Sequence, residues 1–203
     1  MKPEDIARSY DAIADRWASD DFPADEGIAQ HERAIAFAGG RGAALDVGCG
    51  ASGRIVQLLL DHGFEPEGLD VSPRMVELAR RRHPRVTFHL ADVCAWEPPR
   101  SYDFVSAWDS IWHVPLDRQD RVLTQLLESL SPGGVLIFTT GGVDRPSERR
   151  DAAMGPPMYH AAPGIPRVLE LVDASGCVCR HLEYDRHPES HVYVIAQKVS
   201  PGA

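Results

Sequence analysis

Two stretches of this sequence carry residues suited to chemistry. In Leu45-Asp46-Val47-Gly48-Cys49-Gly50-Ala51-Ser52-Gly53 an apolar run passes into a glycine turn that opens a helical pattern. Glycines let backbone approach a ligand where a Cβ would collide, and the first turn of a helix offers unpaired N–H donors. Asp70 and Asp92 each follow a further apolar run and can accept hydrogen bonds from ribose hydroxyls or a base amino group. The second stretch is Trp108-Asp109-Ser110-Ile111-Trp112-His113-Val114-Pro115. Here Asp109 can contact a cofactor or a substrate, and His113 is read as a general base near neutral pH. The plain alternatives are that Asp109 caps the following turn and that His113 packs beside Pro115.

Apolar runs that alternate with helical patterns must position these residues, the signature of an α/β fold with a parallel sheet covered on both faces. Helical patterns are expected at about 4–18 and 27–38, and a first strand at 44–47, followed by a helix at about 52–62. A strand at 65–70 leads to Ser72-Pro73, which starts a helix to about residue 82 with Ser as N-cap and Pro at the first helical position. Further strands are expected at 86–90 and 102–108, then a helix at 118–130. Pro132-Gly133-Gly134 breaks the chain before a strand at 135–140. The segment 141–164, rich in Pro, Gly and Met, is too long for an ordinary connection and reads as a lid or a surface loop. A helix at 166–174 and a closing pair of strands at 177–184 and 192–198 complete the pattern. One domain over 1–203 is expected, with 1–40 supplying helices over the ligand.

At 203 residues and 43% hydrophobic content the chain can bury a core without disulfides or metal. Cys49, Cys94, Cys177 and Cys179 lack the spacing of a paired zinc site, so free thiols and no metal are expected. A formal net charge of −9 opposes nucleic acid and anionic lipid, and the basic Arg80-Arg81-Arg82-His83 sits where cations complement a helix C-terminus. No apolar stretch approaches the roughly 18 residues of a membrane span, and Met1-Lys2-Pro3-Glu4-Asp5 lacks an apolar leader core. A soluble, cytoplasmic protein without nucleic-acid or membrane partners is the expectation; oligomeric state is left open.

Gly48, Gly50 and Gly53 also satisfy the GxGxxG spacing of dinucleotide sites, with Asp70 at the distance of a ribose-binding acid, so a nicotinamide oxidoreductase is the rival reading. Asp46 argues against it by sign. A carboxylate two residues before the glycines suits a cationic amino group and opposes a pyrophosphate. Leu45-Asp46-Val47-Gly48-Cys49-Gly50, Gly68-Leu69-Asp70-Val71-Ser72, Ala91-Asp92-Val93, Tyr102-Asp103-Phe104-Val105 and Leu130-Ser131-Pro132-Gly133-Gly134, in this order, resemble class I S-adenosylmethionine-dependent methyltransferases.

The resemblance implies a Rossmann-like three-layer sandwich, with a seven-stranded, mostly parallel sheet whose last strand is antiparallel. It implies S-adenosyl-L-methionine as cofactor, S-adenosyl-L-homocysteine as product and a small-molecule acceptor. Gly48, Cys49 and Gly50 would lie against the methionine portion with Asp46 near its amino group. Asp70 would hold the ribose hydroxyls, Asp92 the adenine amino group, and the Val93 backbone a ring nitrogen. Val71 and Met75 would flank adenine, core packing being the alternative for Met75. Trp108 joins this set, and Tyr10 would close over the cofactor from the first helix. Trp112, Met158, Tyr159, His160 and His191 are the acceptor-lining candidates. A cofactor-binding protein without catalysis fits the same motifs. Gly155-Pro156-Pro157-Met158 stands far from the place where amino-directed nucleic-acid methyltransferases carry their proline pair, so that acceptor class is rejected.

Overall fold

The computed structural model describes residues 1–19, 23 and 25–200. The sheet is built from β1 (Ala43–Val47), β2 (Glu65–Asp70), β3 (Thr87–Leu90), β4 (Tyr102–Ala107), β5 (Leu130–Gly141), β8 (Cys177–Glu183) and β9 (His191–Lys198), and a separate ribbon from β6 (Ser147–Asp151) and β7 (Met158–Ala162). Seven strands lie in the order β3-β2-β1-β4-β5-β9-β8. The first five are mutually parallel, and β9, the final strand, runs antiparallel between β5 and β8.

Both faces of the central strands are apolar because both are covered. Leu136 and Phe138 of β5 and Val192, Val194 and Ala196 of β9 join one core with α6 (Leu116–Glu128) and α7 (Ile165–Ala174). Their neighbours Val135, Ile137, Tyr193 and Ile195 face a second core with α3 (Ile28–Ile35) and α4 (Arg54–Asp61). The period-two alternation thus assigns successive residues to opposite layers. The fifth major helix, α5 (Pro73–Arg82), packs beside α4 through Val76, Ala79 and Val56, and Ser72 caps it by accepting from the Met75 N–H at 3.1 Å.

Three expectations are corrected. The first helical pattern is two helices, α1 (Pro3–Asp11) and α2 (Ala14–Trp17), because Ile13 leaves helical geometry with φ −120° and ψ 6°. At that break Asp11 accepts from the Arg74 N–H and the Ser72 hydroxyl, which fastens the end of α1 to the start of α5. Pro132-Gly133-Gly134 does not break the chain before the strand; β5 begins at Leu130, and its register against β4 shifts across these residues. The segment 141–164 is not an irregular loop. Its β6 and β7 pair antiparallel, and β6 escaped detection because it is polar and exposed at nearly every position, with no apolar alternation to read. The N-terminal segment 1–40 includes residues 20–22 and 24, which lie outside the described residues.

Phe104 lies in the second core, fully buried between Phe64 and His31. Phe104→Ala should lower unfolding free energy by about 3–5 kcal/mol in urea titration, the usual cost of emptying a buried aromatic site.

Candidate active site

A cavity of about 400 Å³ opens at the carboxyl ends of β1, β2 and β4. Its floor is the glycine turn from Gly48 to Ser52, its side walls carry Asp70, Val71, Met75, Asp92 and Val93, and Tyr10 and Trp17 cover it. The opposite end is formed by Trp108 to Pro115 with Arg149, Asp151, Met154 and His160 of the hairpin, and by Glu26, Arg54 and Arg186.

Local conformation explains the floor. Gly48 has φ 72°, and a Cβ there would stand 2.2 Å from the Ser110 Cβ, so the ends of β1 and β4 can meet only over a glycine. A Cβ added to Gly50, at φ 57°, would meet nothing within 4 Å beyond its chain neighbours; the place of this glycine is set by backbone conformation and by the space beside it. Asp70 ties this turn to the next helix. One carboxylate oxygen accepts from the Gly50 N–H and the other from the Ser72 N–H, both at 2.9 Å. Burial raises its pKa, against the pull of these backbone donors. Asp92 accepts from the Cys94 N–H at 2.9 Å, which folds the chain after β3 into a turn along the wall.

Tyr10 places its hydroxyl 2.7 Å from His113 Nε2. His113 Nδ1 lies 2.7 Å from the Tyr159 carbonyl, which can only accept, so Nδ1 carries the proton and Nε2 receives Tyr10 and the Trp112 indole N–H. Burial drives the His113 pKa down to about 4, the Tyr159 carbonyl and nearby acids opposing only in part. This corrects the reading of His113 as a base working near neutrality: its lone pair is occupied, and the ring joins α1, the turn after β4 and β7.

Asp46 is not part of the wall. It lies buried beneath the floor, bonded to Ser106, its pKa raised to about 6 by burial against Ser106 and Arg54. Ser106 also meets His31, whose other ring nitrogen bonds the Gly27 carbonyl at 2.7 Å. Met158 and Tyr159 are likewise outside the cavity. Met158 is fully buried, and Tyr159 packs with Ile6 and Ala161 while its hydroxyl donates to Glu148. Of the β7 residues His160 alone reaches the cavity, its ring centroid 4.9 Å from that of His113. His191 stands behind the wall, bonded to Asp109 at 3.0 Å and to Asp185. The cavity thus brings together Tyr10, Gly48, Cys49, Gly50, Asp70, Val71, Met75, Asp92, Val93, Trp108, Asp109, Trp112, His113 and His160.

Residues 44–134 match the methyltransferase domain family. Trans-aconitate 2-methyltransferase of Methylobacterium radiotolerans is 37% identical over 131 residues, 62% of this chain and 48% of that protein. Malonyl-[acyl-carrier protein] O-methyltransferase of Enterobacter lignolyticus is 36% identical over 108 residues, 53% of this chain and 41% of that protein. The chain therefore spans about half the length of the curated relatives it matches. Among solved structures, the CcbJ methyltransferase from Streptomyces caelestis superposes with TM-score 0.74 at 16% identity, over 98% of this chain and 100% of that one. The DhpI complex with S-adenosylhomocysteine superposes at TM-score 0.70 and 21% identity, over 98% and 97%. Residues 44–134 thus carry a methyltransferase domain, and the fold of the chain is that of solved methyltransferases.

Sequence reasoning missed several polar residues of the cavity, among them Glu26, Arg54, Arg149, Asp151 and Arg186. Glu26 accepts from Arg186 Nη2 at 2.6 Å, and its carbonyl accepts from Arg54 Nε at 2.8 Å. Arg54 was findable, as the first residue of the helix that the glycine turn opens. Glu26 and Arg186 lie in loops 160 residues apart, and no spacing announces that they meet. Among the described residues no cluster of three or more His, Cys, Asp or Glu side chains is arranged to hold a metal, and no helix is long and apolar enough to cross a membrane.

The buried imidazoles make a pH prediction. The folded pKa of about 4 for His31 and His113 lies below the ordinary 6.5, so the unfolded chain binds more protons and stability falls as pH drops from about 6.5 towards 4. Nitrogen-15 imidazole spectra at pH 5.5 should show both rings neutral and His191, bonded to two carboxylates, protonated. A His113 ring titrating near 6.5 would contradict this.

Proposed function

We propose that this chain transfers a methyl group from S-adenosyl-L-methionine to a small-molecule acceptor. The observation that carries the reading is the convergence of the glycine turn, Asp70 and Asp92 on one cavity where the sheet changes direction. Relatives and solved neighbours bearing methyltransferase names support it.

The residues fit the cofactor. Backbone from Gly48 to Ser52 would lie against its methionine part. Each Asp70 oxygen already accepts one N–H and keeps a second lone pair, so the pair of oxygens would receive a vicinal diol. Asp92 and the Val93 backbone would meet the adenine edge, and Val71 and Met75 its faces. Met75 serves the core as well, packing against Ala14 and Ala51. Tyr10 and Trp17 would close over the site, while Asp46 supports the floor from beneath. When bound, the cofactor supplies a methyl group on a sulfonium and a neutral thioether as leaving group. The protein's task is then alignment and exclusion of water, and alignment alone can lower a barrier by about 7–11 kcal/mol.

Acids dominate the cofactor half of the cavity, which disfavours the pyrophosphate of a nicotinamide dinucleotide. The volume suits small molecules, and the net charge of −9 opposes nucleic acid as acceptor.

Calorimetric titration with S-adenosylhomocysteine and NAD(H) tests the reading. S-adenosylhomocysteine should bind at micromolar concentration and NAD(H) should not. Asp70→Asn should weaken S-adenosylhomocysteine roughly 10- to 100-fold, since a hydrogen bond to a charged group contributes about 1.5–3 kcal/mol. Unchanged affinity would remove Asp70 from the site.

A further inference from the structure

Asp109 sits where the backbone discourages most residues. Its φ of 50° lies in the left-handed region, which Asn and Asp enter more readily than other non-glycine residues, and its N–H is held by the Thr139 hydroxyl at 2.8 Å. Its carboxylate does not cap the following turn. Oδ1 accepts from His191 Nε2 at 3.0 Å, and Oδ2 lies 3.8 Å from Arg186 Nη2, beyond hydrogen-bond reach, while the side chain lines the cavity.

Behind it, His191 Nδ1 meets the Asp185 carboxylate. Carboxylates only accept, so each nitrogen of this buried ring carries a proton and His191 is an imidazolium. Trp108 and Trp112 wall it at centroid distances of 5.7 and 5.5 Å. The three groups carry a net charge of about −1, and Asp109, the member of the trio that lines the cavity, keeps Oδ2 without a hydrogen bond, in a 3.8 Å ion pair with Arg186. The neighbouring cation Arg186 is bonded to Glu26, and the other titratable groups that feel Asp109 are Tyr10 of α1, His113 of the turn and the buried His31. None of them serves as a base at neutral pH: Tyr10 is a neutral phenol that donates its own proton to His113, and both histidine rings are bonded at both nitrogens.

We propose that Asp109 takes the proton that the methyl acceptor gives up, with His191 and Asp185 as positioning residues, and that the acceptor is therefore a hydroxyl or ammonium group rather than a carboxylate. This rests on the reading of the cavity as a methyl-transfer site. An ammonium acceptor first gives its proton to Asp109 to free a lone pair, and a hydroxyl gives its proton as it attacks; the nitrogen or oxygen bonds to the methyl carbon as the methyl–sulfur bond breaks, that bond's electron pair staying on sulfur. The proton leaves the acceptor for Asp109 Oδ2. The sulfonium charge disappears, Asp109 becomes neutral, and the proton passes to solvent after release. A carboxylate acceptor such as trans-aconitate has no proton to lose at neutral pH and would bring like charge against Asp109.

The test uses the full chain with methyl-labelled S-adenosylmethionine and an acceptor panel divided between acids (trans-aconitate, malonate) and amines and alcohols (ethanolamine, amino sugars, phenols). Label should pass to amines or alcohols only. Asp109→Asn, which tolerates the left-handed backbone, should lower kcat about 10²- to 10⁴-fold. It should keep S-adenosylhomocysteine affinity within about threefold. His191→Gln should displace the acidic limb of the kcat/KM profile, which a purely structural role would not do. In protein saturated with S-adenosylhomocysteine, millimolar ethanolamine should shift the His191 nitrogen-15 resonances and trans-aconitate should not. Label on the acids alone, or Asp109→Asn turnover within threefold of the parent, overturns the assignment. A parent chain that fails to bind S-adenosylhomocysteine instead overturns the methyl-transfer reading beneath it.

Discussion

The site depends on the parting of two neighbouring strands. β1 and β4 are adjacent and parallel, yet the chain leaves β1 for α4 on one face of the sheet and leaves β4 for α6 on the other. A crevice at their carboxyl ends is the geometric result. What keeps it narrow is the contact between Gly48 and Ser110, where no side chain fits at the first position. The glycine is thus required by the opposing strand before any ligand is considered. Asp70 then uses both carboxylate oxygens to hold the turn from Gly50 against the start of α5, so floor and wall are joined.

How much of this was legible follows from where its causes lie. The central strands were readable because each is buried on both faces and its residues are apolar in nearly unbroken runs. The start of α5 was readable because Ser72 and Pro73 act locally. The hairpin was hidden because β6 is held by backbone pairing to β7 and contributes almost no buried side chain. Break points were hidden for a related reason: Asp11 is drawn to Ser72 and Arg74, some sixty residues away, and nothing near it in sequence signals the end of α1.

The histidines show the same division more sharply. Residue type and position put His113, His160 and His191 near the cavity, but their protonation is decided by partners from distant elements. His113 faces a carbonyl, a phenol and an indole; burial and the two donors to Nε2 favour the neutral ring, and the carbonyl opposes them only in part. His191 faces two carboxylates, whose hydrogen bonds raise its pKa against burial. Two rings, one in the wall and one behind it, each near Trp112, are therefore held in opposite charge states. A reading by residue type favours whichever histidine lies nearest a strand end, and here that choice fell on the neutral, fully engaged ring.

These opposite states divide the labour of the wall. A neutral ring whose nitrogens are all bonded can join elements without carrying charge, and His113 joins α1, the turn after β4 and β7 where they close over the cavity. A charged ring between two acids costs desolvation, which is offset only while both acids stay in place. His191 therefore constrains Asp109 and Asp185 together and leaves the second Asp109 oxygen without a hydrogen bond, beside Arg186 at the cavity. The backbone strain at Asp109 belongs to the same arrangement: with φ in the left-handed region, the carboxylate reaches back to β9 while its N–H stays bonded to Thr139 of β5. The antiparallel insertion of β9 beside β5 is what brings His191 within reach, so the one departure from a parallel sheet also supplies the polar end of the cavity.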